Sequence, residues 1–204
     1  MRYAENHKEE THKAILKIAA SHLRENGPDR VSVASVMKAA GLTHGGFYAH
    51  FKSKDALLID ALHDTFARSR RRVARLLDGL PPRHALATYI DFYVAQTHRD
   101  NPANGCPITA LNSDMPRQSK KFRAAFEAGV TGLVGLIARL MHDAGIADAE
   151  ALAPSIFAAM AGAVSLSRTI SDPALSNEFL ATTRTGIKAR LGLTDAALAG
   201  ETPT

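Results

Sequence analysis

The sequence predicts an all-α chain of about nine helices, and three observations carry that expectation. Apolar residues recur at helical spacing over most of the 204 residues, as with Ile15, Ala19 and Leu23. Val31-Ser32-Val33 is the one short alternating β-branched stretch, and it runs directly into a helical pattern. Gly and Pro residues fall between the periodic segments and delimit them.

The first helix is expected from about Lys8 to Asn26, with Ile15, Ala19 and Leu23 on its apolar face and Leu16 and Ile18 widening it. Gly27-Pro28 stops it, the glycine suiting a left-handed cap. Ser32 is the N-cap of a second helix, Val33 to Ala40, which Gly41 ends. After Leu42, Thr43 is placed to cap a very short third helix, His44 to His50. Ser53 caps a long fourth helix from Lys54 to about Gly79, with Leu58, Leu62 and Phe66 on its inner face. Two short helices joined by a tight glycine-containing turn and flanked by longer ones form a helix-turn-helix arrangement.

Pro81-Pro82 then breaks the chain, and a helical bundle follows at about 83–99, 104–114, 118–144, 149–171 and 174–191, delimited with the help of Pro102, Pro107, Pro116, Gly145, Pro154 and Pro173. Residues 1–53 read as the helix-turn-helix domain, 54–193 as a second functional domain, and 194–204 as a small, polar, flexible tail.

Composition narrows the function. Residues 1–75 carry 14 Lys+Arg against 8 Asp+Glu, whereas the rest of the chain is nearly balanced at 11 against 12. A basic excess confined to one region hints at a polyanion partner there. The single cysteine, Cys106, excludes an intrachain disulfide. No apolar run approaches the roughly 18 residues of a membrane span. The charged start, MRYAENHKEETHK, lacks a signal-peptide hydrophobic region. These features predict a cytoplasmic protein with no membrane partner. No histidine or acid pattern matches a metal site, and His7 and His12, like His44 and His50, miss the i, i+4 spacing of a helical zinc pair. No glycine-rich phosphate loop is present either, so neither an enzyme, a bound metal nor a cofactor is expected.

The most informative stretch is GLTHGGFYAHFKSKDALL, residues 41–58. Two adjacent glycines stand where the pattern reads as helix, although glycine in a helix interior costs roughly 1 kcal/mol against alanine. A recognition helix reads base edges with its first residues, and glycine has no Cβ to hold a backbone away from a duplex. The helix start also presents free N–H groups and a positive dipole end suited to phosphate. Thr43, Tyr48 and His50 add donors, and Lys52 and Lys54 add charge. Phe47 and Phe51, four apart, share a face and should pack inward. The run Arg68-Ser69-Arg70-Arg71-Arg72 reads as a solvated basic helix face.

From Ala14 to Leu58 the chain resembles the DNA-binding domain of the TetR/AcrR family of transcriptional regulators. The resemblance rests on the Ile15-Leu16 and Ala19-Ala20 pattern, Asn26-Gly27, Ser32-Val33-Ala34, Ala40-Gly41-Leu42-Thr43 and the run from Gly45 to Leu57. It implies a homodimer that inserts one recognition helix per protomer into the major groove of a palindromic double-stranded DNA operator. It puts His44, Gly45 and Gly46 at base edges, and Ser32, Thr43, Tyr48, His50 and Lys54 on phosphates.

The resemblance also implies a small-molecule effector pocket among residues 83 to 171. Tyr89, Tyr93, Gln96, Thr109 and Asn112 are the candidate polar groups, Phe126 and Phe157 apolar ones, and Cys106 a further contact; most such residues could equally be plain bundle core. Cys106 stands where the sixth helix should begin, and a thiol near a helix N-terminus can be reactive. That leaves a redox or electrophile sensor as an alternative to a buried small hydrophobe. The small-residue run Ala158 to Val164, with Gly162 in it, and the stripe Phe179, Leu180, Thr183 and Ile187 are dimer-interface candidates, as the family pairs the corresponding helices. The expected function is a ligand-responsive regulator, most simply a repressor, and the remaining alternative is a DNA binder without a ligand.

Overall fold

The structure is a computed structural model that describes residues 2–199, with side chains from His7 onward. No strand occurs among the described residues. The elements are α1 (Arg2–Asn26), α2 (Val33–Ala39), a 3-10 helix (His44–Ala49), α3 (Lys54–Leu77), α4 (Pro82–Tyr93), α5 (Gln96–Asp100), α6 (Pro107–Leu111), α7 (Lys120–Asp143), α8 (Ala149–Ser167), α9 (Pro173–Arg190) and α10 (Asp195–Ala199), with short 3-10 turns at Pro102–Asn104 and Met115–Arg117. Of the tail at 194–204, residues 195–199 are therefore helical, and 200–204 lie outside the described residues.

The chain packs as two compact units, one of residues 1–69 with 102–129 and the other of residues 70–101 with Val130 onward. In the first, α1 contributes Ile15, Leu16, Ala19, Ala20 and Leu23, α2 contributes Val36 and Met37, and α3 contributes Leu57, Leu58, Ala61, Leu62 and Phe66, all buried. Each such large side chain gives about 1.5–3 kcal/mol by leaving water. The helix begins at Arg2 rather than Lys8, because the turns before Ile15 hold good helix formers but no apolar stripe to announce them.

One cation is built into this unit. Arg24 of α1 is largely buried; its Nε donates to the Ala103 carbonyl at 2.7 Å, its Nη1 to Thr65 Oγ1 at 2.9 Å, and its Nη2 also to Ala103. Thr65 is buried and passes its own hydroxyl proton to the Ala61 carbonyl at 2.8 Å. Burial, then the Arg68 charge, push the Arg24 guanidinium down to about 10, so it stays charged at neutral pH. The same unit holds a close crossing of α3 and α7. A Cβ on Gly129 would overlap the edge of the Phe66 ring, reaching no farther than 2.7 Å from Cε1.

In the second unit α4 carries Leu86, Tyr89, Ile90 and Tyr93 inward. α8 adds Ile156, Phe157, Met160 and Val164, and α9 adds Leu180 and Ile187. The helix expected over 83–99 is broken at Val94-Ala95. The Tyr93 carbonyl is occupied by His98 Nδ1, which donates to it at 2.7 Å. The short α5 that follows is tied down from a distance: Arg168 donates to the carbonyls of His98 at 2.9 Å and Arg99 at 3.0 Å, and Arg99 Nη1 donates to Ser176 Oγ at 2.8 Å and Asn177 Oδ1 at 2.7 Å. The helix expected over 104–114 is likewise reduced to Pro102–Asn104 and Pro107–Leu111. Pro154, expected as a delimiter, lies inside α8.

Contrary to the sequence expectation, two helices, α7 and α8, are long and apolar enough to cross a membrane by length and composition. Both carry core residues, Leu133, Ile137 and Met141 on α7 and Ile156, Phe157 and Met160 on α8, which accounts for part of their apolar character.

His98 makes the second unit acid-sensitive. Burial pushes its pKa down to about 4, against the partly offsetting bond to the Tyr93 carbonyl and with help from Arg168 and Arg72. The folded state thus holds the neutral ring, while the unfolded chain protonates near pH 6.5. The stabilisation is complete above that value and is lost as pH falls toward 4, by roughly 3 kcal/mol in all. Urea unfolding across this window should show the loss, and His98→Asn, which keeps an N–H near the Nδ1 position without a titrating ring, should flatten it.

Candidate nucleic-acid interface

The region from Ser32 to Lys54 contains three lysines and no carboxylate. Ser32 has extended backbone and its hydroxyl accepts from the Ser35 N–H at 3.0 Å, so it caps α2 as the sequence predicts. At the other end Gly41 has φ +71, a left-handed conformation that favours glycine. Its N–H donates to the Lys38 carbonyl at 3.0 Å and the Leu42 N–H to Met37 at 2.9 Å, the paired bonds of a Schellman turn. This turn sets the entry of the next segment.

That segment is a 3-10 helix, tighter than the α-helix expected, running His44–Ala49. Thr43 precedes it with extended backbone, but its side chain makes no capping bond, which corrects that expectation. The turn is closed instead by main chain, Gly46 N–H to the Thr43 carbonyl at 3.1 Å. The Thr43 side chain is exposed.

The two glycines lie on this helix, and the protein itself does not require them. Neither has a positive φ. A Cβ at Gly45 would meet nothing within 4 Å, and one at Gly46 would make only ordinary 3.7 Å contacts with Met37 Cε and Thr43 Oγ1. Beneath them Phe47 and Phe51 are buried and stacked, ring centroids 5.7 Å apart, and anchor the helix from inside. Outside, Tyr48 is 70% exposed with its ring edge against Phe47, and His44 is exposed 6.5 Å from Tyr48. Ser53 caps α3 through the Ala56 N–H at 3.1 Å, leaving Lys52 exposed and Lys54 half-buried at the helix start. His50 stands at the end of the 3-10 helix, half-buried beside His12 of α1, a neighbour the sequence reading missed because the contact is long-range.

In the basic run on α3, Arg68 is paired with Asp64, and Arg72 lies over the Phe92 ring at 4.8 Å. Arg70 and Arg71 are exposed.

The predicted effector residues separate. Tyr89, Tyr93 and Phe157 are brought together in the second unit, with Tyr93 6.1 Å from each of the other two rings. His98, unforeseen because it was read as part of a continuous helix, sits edge-on to Tyr93 at 4.8 Å. Gln96 is exposed on α5. In the first unit Cys106, Thr109 and Phe126 are buried, and the Thr109 hydroxyl donates to the Cys106 carbonyl at 2.9 Å. Asn112 is exposed, its Oδ1 accepting from the Ser113 N–H at 2.8 Å. Of the dimer candidates, Leu180 and Ile187 are buried within the protomer. Ala158 and Phe179 are exposed, Gly162 and Thr183 half-buried, and the exposed Leu166 and Leu175 extend the apolar stripe.

A capped helix, a left-handed glycine turn and an exposed second helix, within a segment free of carboxylates, define a helix-turn-helix DNA-binding protein. Residues 15–61 match the family described as bacterial regulatory proteins, tetR family, and residues 82–175 match the C-terminal domain described as LmrA/YxaF-like transcriptional regulator. The chain belongs to the TetR family of transcriptional regulators.

Among its relatives, the transcriptional regulator AcuR of Cereibacter sphaeroides is 30% identical over 118 residues, which is 56% of this chain and only about half, 53%, of AcuR. The HTH-type transcriptional repressor NemR of Escherichia coli is 21% identical over 66% of this chain and 68% of its own. Among solved structures, a TetR regulator from Chloroflexus aurantiacus superposes with TM-score 0.78 at 26% identity, covering 94% of this chain and 97% of that one. The reduced form of E. coli NemR superposes with TM-score 0.76 at 20% identity, over 88% and 96%, a likeness of fold. Both family and fold are those of DNA-binding regulators rather than enzymes.

Proposed function

We propose that the protein is a cytoplasmic, homodimeric repressor that leaves a palindromic operator when a small molecule binds its C-terminal region. The observation that carries this reading is the glycine pair at 45 and 46, which neither backbone conformation nor internal packing demands. Glycines dispensable to the fold, on an exposed helix free of carboxylates, fit a backbone that must come close to an outside partner. His44, Gly45 and Gly46 meet base edges, and Ser32, Thr43, Tyr48, His50 and Lys54 hold phosphates. Phosphate contacts fix register while base contacts select sequence. With so little side chain at 45 and 46, selectivity falls largely to His44 and to DNA shape.

Residues 1–53 bind DNA in this reading, 54–193 bind effector and dimerise, and 194–204 form a tail. The aromatic group Tyr89, Tyr93 and Phe157 supports an apolar effector site with few polar groups; for Gln96, exposed on α5, the support is the family resemblance. For Cys106, Thr109, Asn112 and Phe126 the support is the family resemblance. The stripe of exposed Ala158, Leu166, Leu175 and Phe179, with half-buried Gly162 and Thr183, supports dimerisation through α8 and α9; Leu180 and Ile187 back it from the core. Repression is favoured by two relatives that are HTH-type transcriptional repressors, NemR of E. coli and KstR2 of Rhodococcus jostii. The effector acts only through its different affinity for the DNA-competent and incompetent conformations.

Footprinting of the DNA flanking the gene tests the reading. Two protected half-sites about 34–36 Å apart, or a multiple, are expected, cleared by an effector. Equal affinity for that DNA and for random duplex overturns it.

A second reading, an electrophile or redox sensor, is favoured by the place of Cys106 at the start of α6, where it interacts electrostatically with the buried Arg24 guanidinium. Quinone-triggered release from DNA should then be lost in Cys106→Ser; unchanged release ends this version.

A further inference from the structure

α1 continues for several turns before its first core residue, Ile15, and within them His12 packs against the segment that ends the DNA-binding helix. His12 lies with its ring stacked on Phe51, centroids 4.6 Å apart and planes 21° from parallel. Phe51 is itself buried, so His12 is fixed in place. Its ring centroid is 5.9 Å from that of His50. Lys8, one turn earlier on α1, acts on His50 electrostatically. Glu9, the carboxylate beside it, is engaged by Lys13 at 2.6 Å. Three nitrogen-bearing side chains from two elements thus stand together at the end of the helix that carries Gly45 and Gly46.

The chemistry favours an anion over a metal. No group of three or more His, Cys, Asp or Glu capable of holding a metal occurs among the described residues. A lysine beside two imidazoles would repel a cation. We propose that Lys8, His12 and His50 form a clamp for one backbone phosphate of the operator duplex, and that closing it draws a proton onto His50. This rests on the DNA-binding reading above, and it adds α1 to an interface otherwise confined to α2, the 3-10 helix and the start of α3.

The proton step follows from how His50 is held. Its Nδ1 is buried with no hydrogen-bond partner. Protonation would place a second N–H there, so the free protein keeps the ring neutral. Burial first, then His12, then Lys8, lower its pKa. These α1 groups and the ring of Phe51 are what face it. A phosphate held beside the rings reverses the balance at His50, since an anion favours the charged imidazole. Binding then takes up a proton and tightens as pH falls.

The test uses the full-length protein and a palindrome that it selects from random duplexes. Fluorescence anisotropy should show roughly fivefold tighter binding at about pH 6 than at about pH 7.5. His12→Gln should remove most of that gain while leaving the ratio of selected to random DNA unchanged. In the wild type, the imidazole 15N titration of His50 should move to higher pH when duplex is added, a readout that needs no variant. A flat pH profile in the wild type, the full gain retained in His12→Gln, or a His50 titration unmoved by duplex overturns the clamp alone. Failure to select any palindrome overturns the DNA reading beneath it.

Discussion

Leucine at both positions 45 and 46 is expected to destroy operator binding and leave the folded protein standing. A side chain at 45 projects into open space, and one at 46 starts from ordinary contacts, so neither forces the core to move. Glycine is also the poorer helix former, by roughly 1 kcal/mol, so melting temperature should hold or rise. On the outer surface the side chain at 45, which has open space around it, pushes the recognition helix away from the groove in both half-sites. Losing two or three base-pair contacts at about 1–3 kcal/mol each lowers affinity by roughly 100-fold or more. Circular dichroism melts paired with anisotropy on the selected palindrome separate the two effects. A leucine pair that melts normally and binds as tightly and selectively as wild type ends the close-approach argument.

The opposite outcome is expected at Gly129, where alanine should damage stability directly. The added methyl overlaps the edge of the buried Phe66 ring, on a helix that cannot back away without dragging its neighbours. Overpacking of this kind costs about 1–3 kcal/mol, and the depth of overlap puts Gly129→Ala at the upper end. Phe66→Leu alone should cost a similar amount by removing buried surface. The double variant should be more stable than the two separate losses predict, because the smaller side chain makes room for the methyl. Strictly additive unfolding free energies would show that the crossing is not the source of the strain.

The contrast between these glycines shows what the sequence carries. Gly41 and the pair at 45–46 sit among local signals, a serine cap before and aromatic anchors after, and their roles are legible from spacing. Gly129 lies on an ordinary helical stretch, and its reason is a ring 63 positions earlier in the chain. The same division runs through the rest of the fold. Ser32 and Ser53 cap as expected because a cap needs only the next three residues. The break after Tyr93 was invisible because His98, Arg168 and Ser176 secure it, and two of these lie some 70 residues or more away. Thr43 had the right residue type for a cap, yet the tighter 3-10 turn satisfied the backbone by itself. On α9 the apolar stripe was read without its phase: Phe179 faces solvent and Leu180, the next residue, faces the core. Lys8 and His12 went unnoticed as partners of His50 because nothing in a linear reading brings the first helix to the third.

Arg24 carries a consequence for how this protein is made and handled. Its buried guanidinium is satisfied by a carbonyl 79 residues further along, in the segment that returns to complete the N-terminal unit. A ribosome that has released only the first four helical elements has therefore produced a half-built body whose charge still lacks its main-chain acceptor, the Ala103 carbonyl. A fragment excised after residue 53 or 69 inherits the same defect permanently. Such a fragment should emerge aggregation-prone and poorly ordered, however complete its recognition motif looks on paper.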